Sequence, residues 1–371
     1  MTRSVDVVVI GGGAMGSAAA WQLALRGRDV LLLERFSPGH TMGASHGASR
    51  NFNVSYERQE YLELLVEALA LWRELEAQAD ASLLDLVGMV THGGSGDFGR
   101  MRDALTAVHI PAEILPADEA ARRWSGIRFA TDVLHTPQAG RINADAAVDA
   151  LQRAARAAGA EVRHDTHVLR IEVIDNNLVR VTTADETVDA RRAVVTVGAW
   201  TSALIGRTLP LPHLTVTQEQ PAHFAVRDTS ATWPGFNHIR GDSDDWWYST
   251  VYGMLTPGVG VKAGWHGTGP IANPDARTFT PEPRQLAALR RYAREWLPGV
   301  DPDTFTDISC TYTTTPDSDF ILDRVGPITI GAGFSGHGFK FTPAIGRVLA
   351  DLALGGARQH PSFSLDRFAR P

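Results

Sequence analysis

Cys310 is the first candidate for a chemically active residue, and it is the only cysteine in this sequence of 371 residues. It opens the segment CTYTTTPDSDF (310–320), which is rich in threonine and aspartate. Because a thiolate is a strong nucleophile, one interpretation is a reactive residue. The other is a small buried hydrophobic residue, as most free cysteines are. A single cysteine excludes an internal disulfide, a cysteine-rich zinc site and an iron–sulfur cluster.

Lys262 is the second candidate, and it lies in GVGVKAGWH (258–266), where apolar residues alternate as in a β-strand. A fixed cation there can stabilise negative charge that develops on a small molecule. The alternative is an edge-strand lysine that prevents aggregation. His266 falls on the same face of the strand by the period of two, so it is a candidate for polarising or orienting a ligand.

Lys340 lies in a third segment, the glycine-rich loop GFSGHGFKF (333–341). Its glycines let backbone N–H groups approach a ligand, and Pro343 stands where a first helical turn would begin. The dipole of a helix that begins there stabilises negative charge. The loop is therefore suited to an anionic ligand, while the alternative for Lys340 is a solvent-facing lysine.

The first forty residues predict an element that binds a dinucleotide. A β-branched run over residues 5–10 predicts a buried parallel strand, and a second strand is predicted over 30–33. Between them lies the fingerprint G-x-G-x-x-G, formed by Gly11, Gly13 and Gly16 with Ala14 and Met15 inside it. These glycines permit a tight turn, close approach of a pyrophosphate, and packing of the helix on the strand. Glu34, followed by Arg35, can accept from ribose hydroxyls. The fingerprint alone does not separate FAD from NAD.

The composition narrows the class of partner. The net charge of −7 and the pI near 6.0 provide no basic face for nucleic acid, so a small molecule is expected. The histidines are too scattered for a metal site. The N-terminus lacks the pattern of a signal peptide, and glycines interrupt the apolar stretch 7–25. We expect a soluble, cytoplasmic and monomeric protein that does not associate with membranes.

The order of the predicted elements indicates two interleaved domains. The predicted fold class is α/β plus α+β. A Rossmann-type dinucleotide domain covers 1–82, 143–211 and 310–371, and a substrate domain built on an antiparallel sheet covers 83–142 and 212–309. Helices are expected over 60–78, over 143–158 with Asn143 as the cap, and over 282–296.

Three stretches carry a specific resemblance: SHGASR (45–50), GVKAGWH (260–266), and CTYTTTPDSDFILD (310–323) paired with GFSGHGFKF. Together they resemble the flavin-dependent amine oxidases of the monomeric sarcosine oxidase and N-methyltryptophan oxidase family, within the D-amino-acid oxidase-like superfamily. The fingerprint and GAW (198–200) also match, in order, over nearly the whole chain. The resemblance implies FAD rather than NAD.

The resemblance also implies roles for individual residues. Cys310 would form a thioether to the 8α-methyl group of FAD. Lys262 would lie beside the flavin ring and promote reaction with dioxygen. Lys340 would reach a substrate carboxylate. The other implied catalytic residues are His266, Arg50, His46 and Tyr252. The implied cofactor-binding residues are Gly11, Gly13, Ala14, Met15, Gly16, Glu34, Arg35, Ser45, Arg50, Val168, Gly198, Cys310, Gly333, Gly336, His337, Gly338 and Lys340.

The sequence departs from the sarcosine oxidase type at Asn53. That type has R-x-x-R, whose second arginine helps to clamp the substrate carboxylate, whereas this chain has Arg50-Asn51-Phe52-Asn53. A neutral amide cannot form the bidentate charge pair. We therefore expect sarcosine to be a poor substrate. Trp246 and Trp247 are candidates for lining a larger pocket, or else they pack in a core.

The function predicted from these features is FAD-dependent oxidation of a secondary or cyclic amine, or of an N-substituted amino acid. A hydride equivalent would pass to flavin N5, and dioxygen would reoxidise the flavin to give hydrogen peroxide, while the imine hydrolyses. The nearest alternative is a flavin-dependent dehydrogenase or desaturase of a cyclic imino acid in a biosynthetic pathway. A protein that binds flavin without turnover is the alternative from a different class.

Overall fold

The computed structural model describes residues 2–242, 244–356 and 360–369. Within these ranges the eight α-helices are α1 (Ala14–Leu25), α2 (Gln59–Ala79), α3 (Gly99–Ala107), α4 (Ala117–Arg123), α5 (Ala144–Ala157), α6 (Thr201–Ile205), α7 (Pro283–Trp296) and α8 (Thr342–Leu354). The strands are β1 (Thr2–Ile10), β2 (Val30–Leu33), β3 (Arg50–Phe52), β4 (Leu84–Asp85), β5 (Met89–Gly93), β6 (Glu113–Leu115), β7 (Val133–Thr136), β8 (Gly140–Ile142), β9 (Glu161–Arg163), β10 (Arg170–Asp175), β11 (Leu178–Thr182), β12 (Thr187–Val195), β13 (Thr215–Glu219), β14 (Ala222–Val226), β15 (Gly235–Ile239), β16 (Val251–Thr256), β17 (Gly260–Trp265), β18 (Val300–Asp307), β19 (Cys310–Thr314), β20 (Ile321–Val325) and β21 (Ile328–Ala332).

The first large sheet has the order β10-β11-β12-β1-β2-β9, with β21 and then β20 joined to it at β12. β1 is parallel to both β2 and β12, and its residues 7–10 are buried. A strand covered on both faces is expected to be a continuous β-branched run, and VVVI fits that expectation. α1 packs against both α5 and α8 over this sheet. The predicted strand, turn and helix of the dinucleotide element are thus present.

The second large sheet has the order β18-β14-β17-β16-β15-β5-β7-β6. Its pairs are antiparallel except for the parallel pair of β5 with β15. α7 packs on it, and together they enclose a core rich in aromatic residues. β17 lies in the interior of this sheet between β14 and β16, so Lys262 is not an edge-strand lysine.

The remaining strands form two small sheets, one of two strands and one of three. β13 pairs with β19, which brings Glu219 opposite Cys310. β8 pairs with both β3 and β4, and it brings Arg50 opposite Ile142. The residues around Cys310 and Arg50 are therefore positioned by long-range strand pairing rather than by free loops.

The structure confirms the predicted fold class and the three helices that were expected. Asn143 caps α5, because its side-chain oxygen accepts a hydrogen bond of 3.1 Å from the backbone N–H of Ala146. Pro343 stands in the first turn of α8, as expected. The domain boundaries stay a prediction. In the described ranges, no helix is long and apolar enough to cross a bilayer.

Candidate cofactor and active site

A cavity of about 760 Å³ extends from the dinucleotide element to the start of β19. Most of the predicted cofactor-binding residues line it, namely Gly11, Gly13, Ala14, Met15, Glu34, Arg35, Ser45, Arg50, Val168, Gly198, Cys310, Gly333, Gly336 and Gly338. Gly16, His337 and Lys340 do not line it. Residues that sequence reasoning missed also line it, among them Gln152, Trp200, Asp275 and Tyr312.

The N-terminus of α1 opens into this cavity. Gly11 has φ +97°, which only glycine adopts without strain, and a Cβ at Gly16 would overlap the Gly11 carbonyl oxygen. The side-chain oxygen of Ser45 accepts from the backbone N–H of Ala14 at 3.0 Å, so the segment 45–50 is tied to the helix start. Free N–H groups at a helix N-terminus favour a phosphate ligand.

Glu34 closes the other side of the dinucleotide element. Its carboxylate accepts from the backbone N–H of Gly12 at 2.6 Å and from that of Phe36 at 3.0 Å. Next to it, the Asp275 carboxylate accepts from Arg35 at 2.7 Å and from the indole N–H of Trp200 at 2.9 Å. Residues far apart in sequence thus meet at the end of the cavity where the fingerprint predicts a ribose.

Cys310 lines the cavity beside Arg50. Its sulfur lies 3.6 Å from a guanidinium nitrogen of Arg50, and the side chain of Cys310 is buried. Arg50 also donates to the backbone oxygens of Ser49 at 3.0 Å and Ala44 at 3.1 Å, which fixes the guanidinium. A cation beside a thiol stabilises the thiolate, which is the reactive form of cysteine.

Lys262 is buried, and its ammonium group donates to the backbone oxygen of Ser49, next to Arg50. Burial and then the Arg50 guanidinium lower the pKa of Lys262 well below its ordinary value. His46 lies in the same surroundings, where burial followed by the charge of Arg50 lowers its pKa to about 3. Three predicted catalytic residues therefore meet here, with His46 held neutral.

His266 and Tyr252 form a second group with Tyr312. The imidazole Nδ1 of His266 lies 3.4 Å from the hydroxyl of Tyr312, which itself lines the cavity. The ring of Tyr252 contacts that of His266 edge-on at 6.4 Å. Burial, followed by the charge of Lys340, lowers the pKa of His266, so the imidazole is neutral. It can therefore accept or donate a hydrogen bond through a neutral ring.

Lys340 is 5% exposed, which excludes the solvent-facing alternative. Its ammonium group donates to the hydroxyl of Tyr56 at 3.0 Å and to the backbone oxygen of His337 at 2.6 Å. Burial lowers the pKa of Lys340 to about 7. An ammonium has three donors and two are used within the described residues, so one N–H is left for a ligand.

Asn53 is half-buried at the end of β3, and its side-chain oxygen accepts from the backbone N–H of Ser55 at 2.9 Å. This contact forms a tight turn that leads to Tyr56. Asn53 therefore supports a turn, and Tyr56 was missed by sequence reasoning. Its only signal in the sequence was its place three residues after Asn53.

The structure corrects the expectation for Trp247. Its side chain is 3% exposed and packs in the core of the second large sheet against Tyr292, His238 and Trp265. It does not line the cavity. Trp247 lies in the segment between β15 and β16, and its burial in this cluster fits the alternative of core packing.

Comparison with known proteins identifies the family. The model of the family "FAD dependent oxidoreductase" matches residues 6–352, and the chain belongs to this family. The chain is 32% identical to monomeric sarcosine oxidase of Bacillus sp. (strain NS-129), over 100% of this chain and 98% of the relative. It is 34% identical to monomeric sarcosine oxidase of Streptomyces avermitilis, over 97% and 96%.

Among solved structures, the open form of NikD, described as an unusual amino acid oxidase essential for nikkomycin biosynthesis, is similar with a TM-score of 0.85. The two are 28% identical over 98% of each chain. These comparisons confirm the predicted family and the predicted class of enzyme, an FAD-dependent amine oxidase.

The residues of the cavity fit FAD. A Cβ at Gly13 would lie 3.1 Å from the Ser45 hydroxyl, and one at Gly336 would overlap the ring of Tyr312, so the close packing of this part of the cavity wall requires glycine at both positions. The N-terminus of α1 suits the pyrophosphate, and Glu34 suits a ribose. Cys310 and Arg50 lie at the opposite end, where the flavin ring would be held.

Proposed function

We propose that this protein oxidises a secondary or cyclic amine that carries a carboxylate, with dioxygen as the electron acceptor. The observation that carries the proposal is a pair of buried lysines just behind the cavity wall: Lys262 donates to Ser49, next to Arg50 of the wall, and Lys340 follows Phe339 of the wall. Among the described residues, both donate only to uncharged oxygens. A buried cation without a counter-ion is costly, so two of them beside a cofactor site indicate anionic ligands.

The two lysines would serve different steps. When bound, FAD accepts a hydride equivalent from the amine and returns the electrons to dioxygen. Lys340, with its free N–H, would bind the substrate carboxylate. Lys262, fixed beside Arg50, would stabilise the negative charge that develops on dioxygen. His266 would orient the amine, since its neutral ring faces Tyr312 and Lys340.

We also propose that Cys310 holds the flavin covalently through its sulfur. The support is its position in the cavity and the Arg50 guanidinium 3.6 Å away. A fixed cation at this distance stabilises an anionic sulfur as it attacks an electrophilic carbon. Arg50 would therefore act in attachment as well as near the flavin ring.

The amine itself is predicted to be larger than sarcosine. Lys340 is the cation left for the carboxylate, because Asn53 is neutral and its side chain is used in a turn. A substrate with more apolar surface compensates for a missing charge pair. A cyclic or aryl-substituted amino acid fits this requirement.

The deciding experiment adds a panel of secondary and cyclic amino acids to the purified holoenzyme without oxygen. We expect the flavin to bleach with at least one of them, and oxygen to restore the colour with release of hydrogen peroxide. Bleaching by none of the amines would refute the proposal and favour a protein that binds flavin without turnover.

A dehydrogenase or desaturase in a biosynthetic pathway is the second candidate, and the structural similarity to NikD, described as an amino acid oxidase essential for nikkomycin biosynthesis, supports the biosynthetic setting alone. It would show the same bleaching but slow reoxidation by oxygen and little peroxide. Lys262 favours the oxidase, because a fixed cation beside the flavin assists oxygen. A monomeric state and a cytoplasmic location stay predictions.

A further inference from the structure

Lys340 begins a chain of hydrogen bonds that ends at Ser318. The ammonium group of Lys340 lies 3.0 Å from the hydroxyl of Tyr56. The same hydroxyl lies 3.0 Å from Nδ1 of His337, and Nε2 of His337 lies 3.1 Å from the backbone oxygen of Ser318. The three side chains come from two regions of the chain, 56 and 337–340.

The direction of each bond follows from the chemistry of the groups. The Ser318 oxygen can only accept, so Nε2 of His337 carries the proton. In the neutral ring Nδ1 must then accept, and Tyr56 is its donor. The hydroxyl of Tyr56 directs its O–H at His337 and therefore presents lone pairs to Lys340. The chain therefore favours Lys340 as a donor.

The protonation states agree with this direction. Burial, followed by the charge of Lys340, lowers the pKa of His337 to about 3, so its ring is neutral. Burial raises the pKa of Tyr56, so its hydroxyl keeps its proton. If Lys340 lost its proton, the neutral amine could still donate its two N–H groups to Tyr56 and to the backbone oxygen of His337, but both bonds would lose their charge assistance. Because charge-assisted hydrogen bonds are the stronger ones, the fixed acceptor at Tyr56 favours the ammonium form of Lys340.

The surroundings hold these side chains in place. The ring of Tyr56 packs on Tyr61 at 5.2 Å and meets Phe341 edge-on at 5.6 Å. The turn formed by Asn53 and Ser55 directly precedes Tyr56 and fixes the backbone that leads to it. Other titratable or charged groups that face this cluster are His266, Tyr61, and the ion pair of Arg58 with Asp319. The hydroxyl of Tyr61 donates to Asp319 at 2.8 Å and takes no part in the chain.

We propose that Tyr56 and His337 are positioning residues that keep Lys340 in its ammonium form and direct it at the carboxylate of the substrate. This inference rests on the proposed function, in which Lys340 receives that carboxylate. Its consequence is that Tyr56 sets the pH range over which carboxylates bind. Affinity is full below the pKa of Lys340 and falls as the pH rises through it.

The test is binding of cyclopentanecarboxylate, which resembles a cyclic amino acid but has no amine to oxidise. It is titrated into the holoenzyme from about pH 5.5 to pH 9, and the change in the flavin spectrum gives the dissociation constant. In Tyr56→Phe we expect the pH at which affinity falls to move down by about one unit, because the acceptor of a charge-assisted hydrogen bond is lost. At the lowest pH the affinity should approach that of the wild type.

Tyr61→Phe is the matched control, since it removes a hydroxyl from the same aromatic cluster but outside the chain, and its pH midpoint should equal that of the wild type. His337→Phe should shift the midpoint in the same direction as Tyr56→Phe but by a smaller amount, and it replaces Tyr56→Phe in the test if that variant does not fold.

An unchanged midpoint with uniformly weaker binding in Tyr56→Phe would mean a merely structural role and would overturn the inference. Absence of carboxylate binding by the wild type would overturn it too. Failure of the proposed function is seen separately, as no bleaching of wild-type flavin by amines.

Discussion

The guanidinium of Arg50 lies 3.6 Å from the sulfur of Cys310, although the two residues are 260 positions apart in the chain. Arg50 reaches this position because β3 pairs with β8, and Cys310 because β19 pairs with β13. Two small sheets thus place a cation beside the only thiol of the sequence. The relationship explains how an otherwise ordinary buried cysteine becomes a candidate nucleophile.

Replacing Cys310 by serine should release the flavin. Acid-precipitated wild-type protein is expected to stay yellow, because the sulfur–carbon bond survives unfolding, whereas the flavin of Cys310→Ser should be found in the supernatant. The measurement is the absorbance of pellet and supernatant. Wild-type flavin in the supernatant would show that no covalent bond exists.

Replacing Arg50 by methionine should slow attachment of FAD to apoprotein while still allowing binding, because the cation beside the sulfur is lost.

Replacing Lys262 by methionine should slow the reaction with oxygen. We expect reoxidation of reduced flavin to fall on the order of a hundredfold, since a preorganised charge is lost. Anaerobic reduction by substrate should change much less. Stopped-flow absorbance measures both half-reactions. Lys340→Met is the matched control, because it removes the other buried lysine and should impair reduction rather than reoxidation.

The reaction with oxygen should also depend on pH. Burial and the Arg50 guanidinium lower the pKa of Lys262 below its ordinary value. The charged form assists oxygen, so the rate of reoxidation should be highest at low pH and fall as the pH rises through the lowered pKa. In Lys262→Met this dependence should be flat. The same slope in both proteins would assign the titration to another group.

Replacing Asn53 by arginine should improve activity on sarcosine. A charge-assisted bond contributes about 1.5–3 kcal/mol, so kcat/KM should rise about tenfold to a hundredfold if the arginine reaches the carboxylate. The variant loses the 2.9 Å bond to Ser55, so a modest loss of stability is expected as well. Asn53→Gln is the control that keeps the amide without charge and should give no gain. High wild-type activity on sarcosine, insensitive to changes at Asn53, would contradict the prediction.

Local patterns in the sequence predicted the elements that position the site. The fingerprint glycines, the cap at Asn143 and the proline of α8 act over a few residues, so their physical consequences can be read without a fold. The strand around Lys262 was also predicted, but only the structure shows that it lies in the interior of its sheet.

Relationships between distant segments could not be predicted in this way. Tyr56 and Lys340 are 284 positions apart, and no local pattern around either residue predicts their hydrogen bond. Asp275 meets Arg35 and Trp200 only because the fold brings three segments together. Trp247 was assigned to a pocket because its type suits one, yet burial in an aromatic core suits it equally.

The last prediction concerns His92 and His238, which are register partners on β5 and β15 with ring centroids 3.9 Å apart. Within the described part of the chain, neither ring nitrogen of His92 has a hydrogen-bond partner, while His238 pairs with Tyr292 at 3.1 Å. The rings around them are Phe129, Trp247 and Trp296. Burial lowers the pKa of His238 to about 3, and burial, followed by repulsion that a proton on both stacked rings would create, lowers that of His92 well below its ordinary value.

Both histidines are therefore neutral in the folded protein but take up protons near pH 6.5 when unfolded. The unfolded state binds more protons below that pH, so stability is full above about pH 6.5 and falls as the pH decreases, by about 1.4 kcal/mol per histidine and pH unit. His92→Phe should remove the contribution of one histidine, so the slope of the unfolding free energy against pH should fall by about 1.4 kcal/mol per pH unit. The free energy is measured by urea unfolding between about pH 7 and pH 4.5. Exposed His213, changed to glutamine, is the control and should leave the slope unchanged. Equal slopes for His92→Phe and the wild type would show that His92 is not the group whose protonation unfolds this sheet.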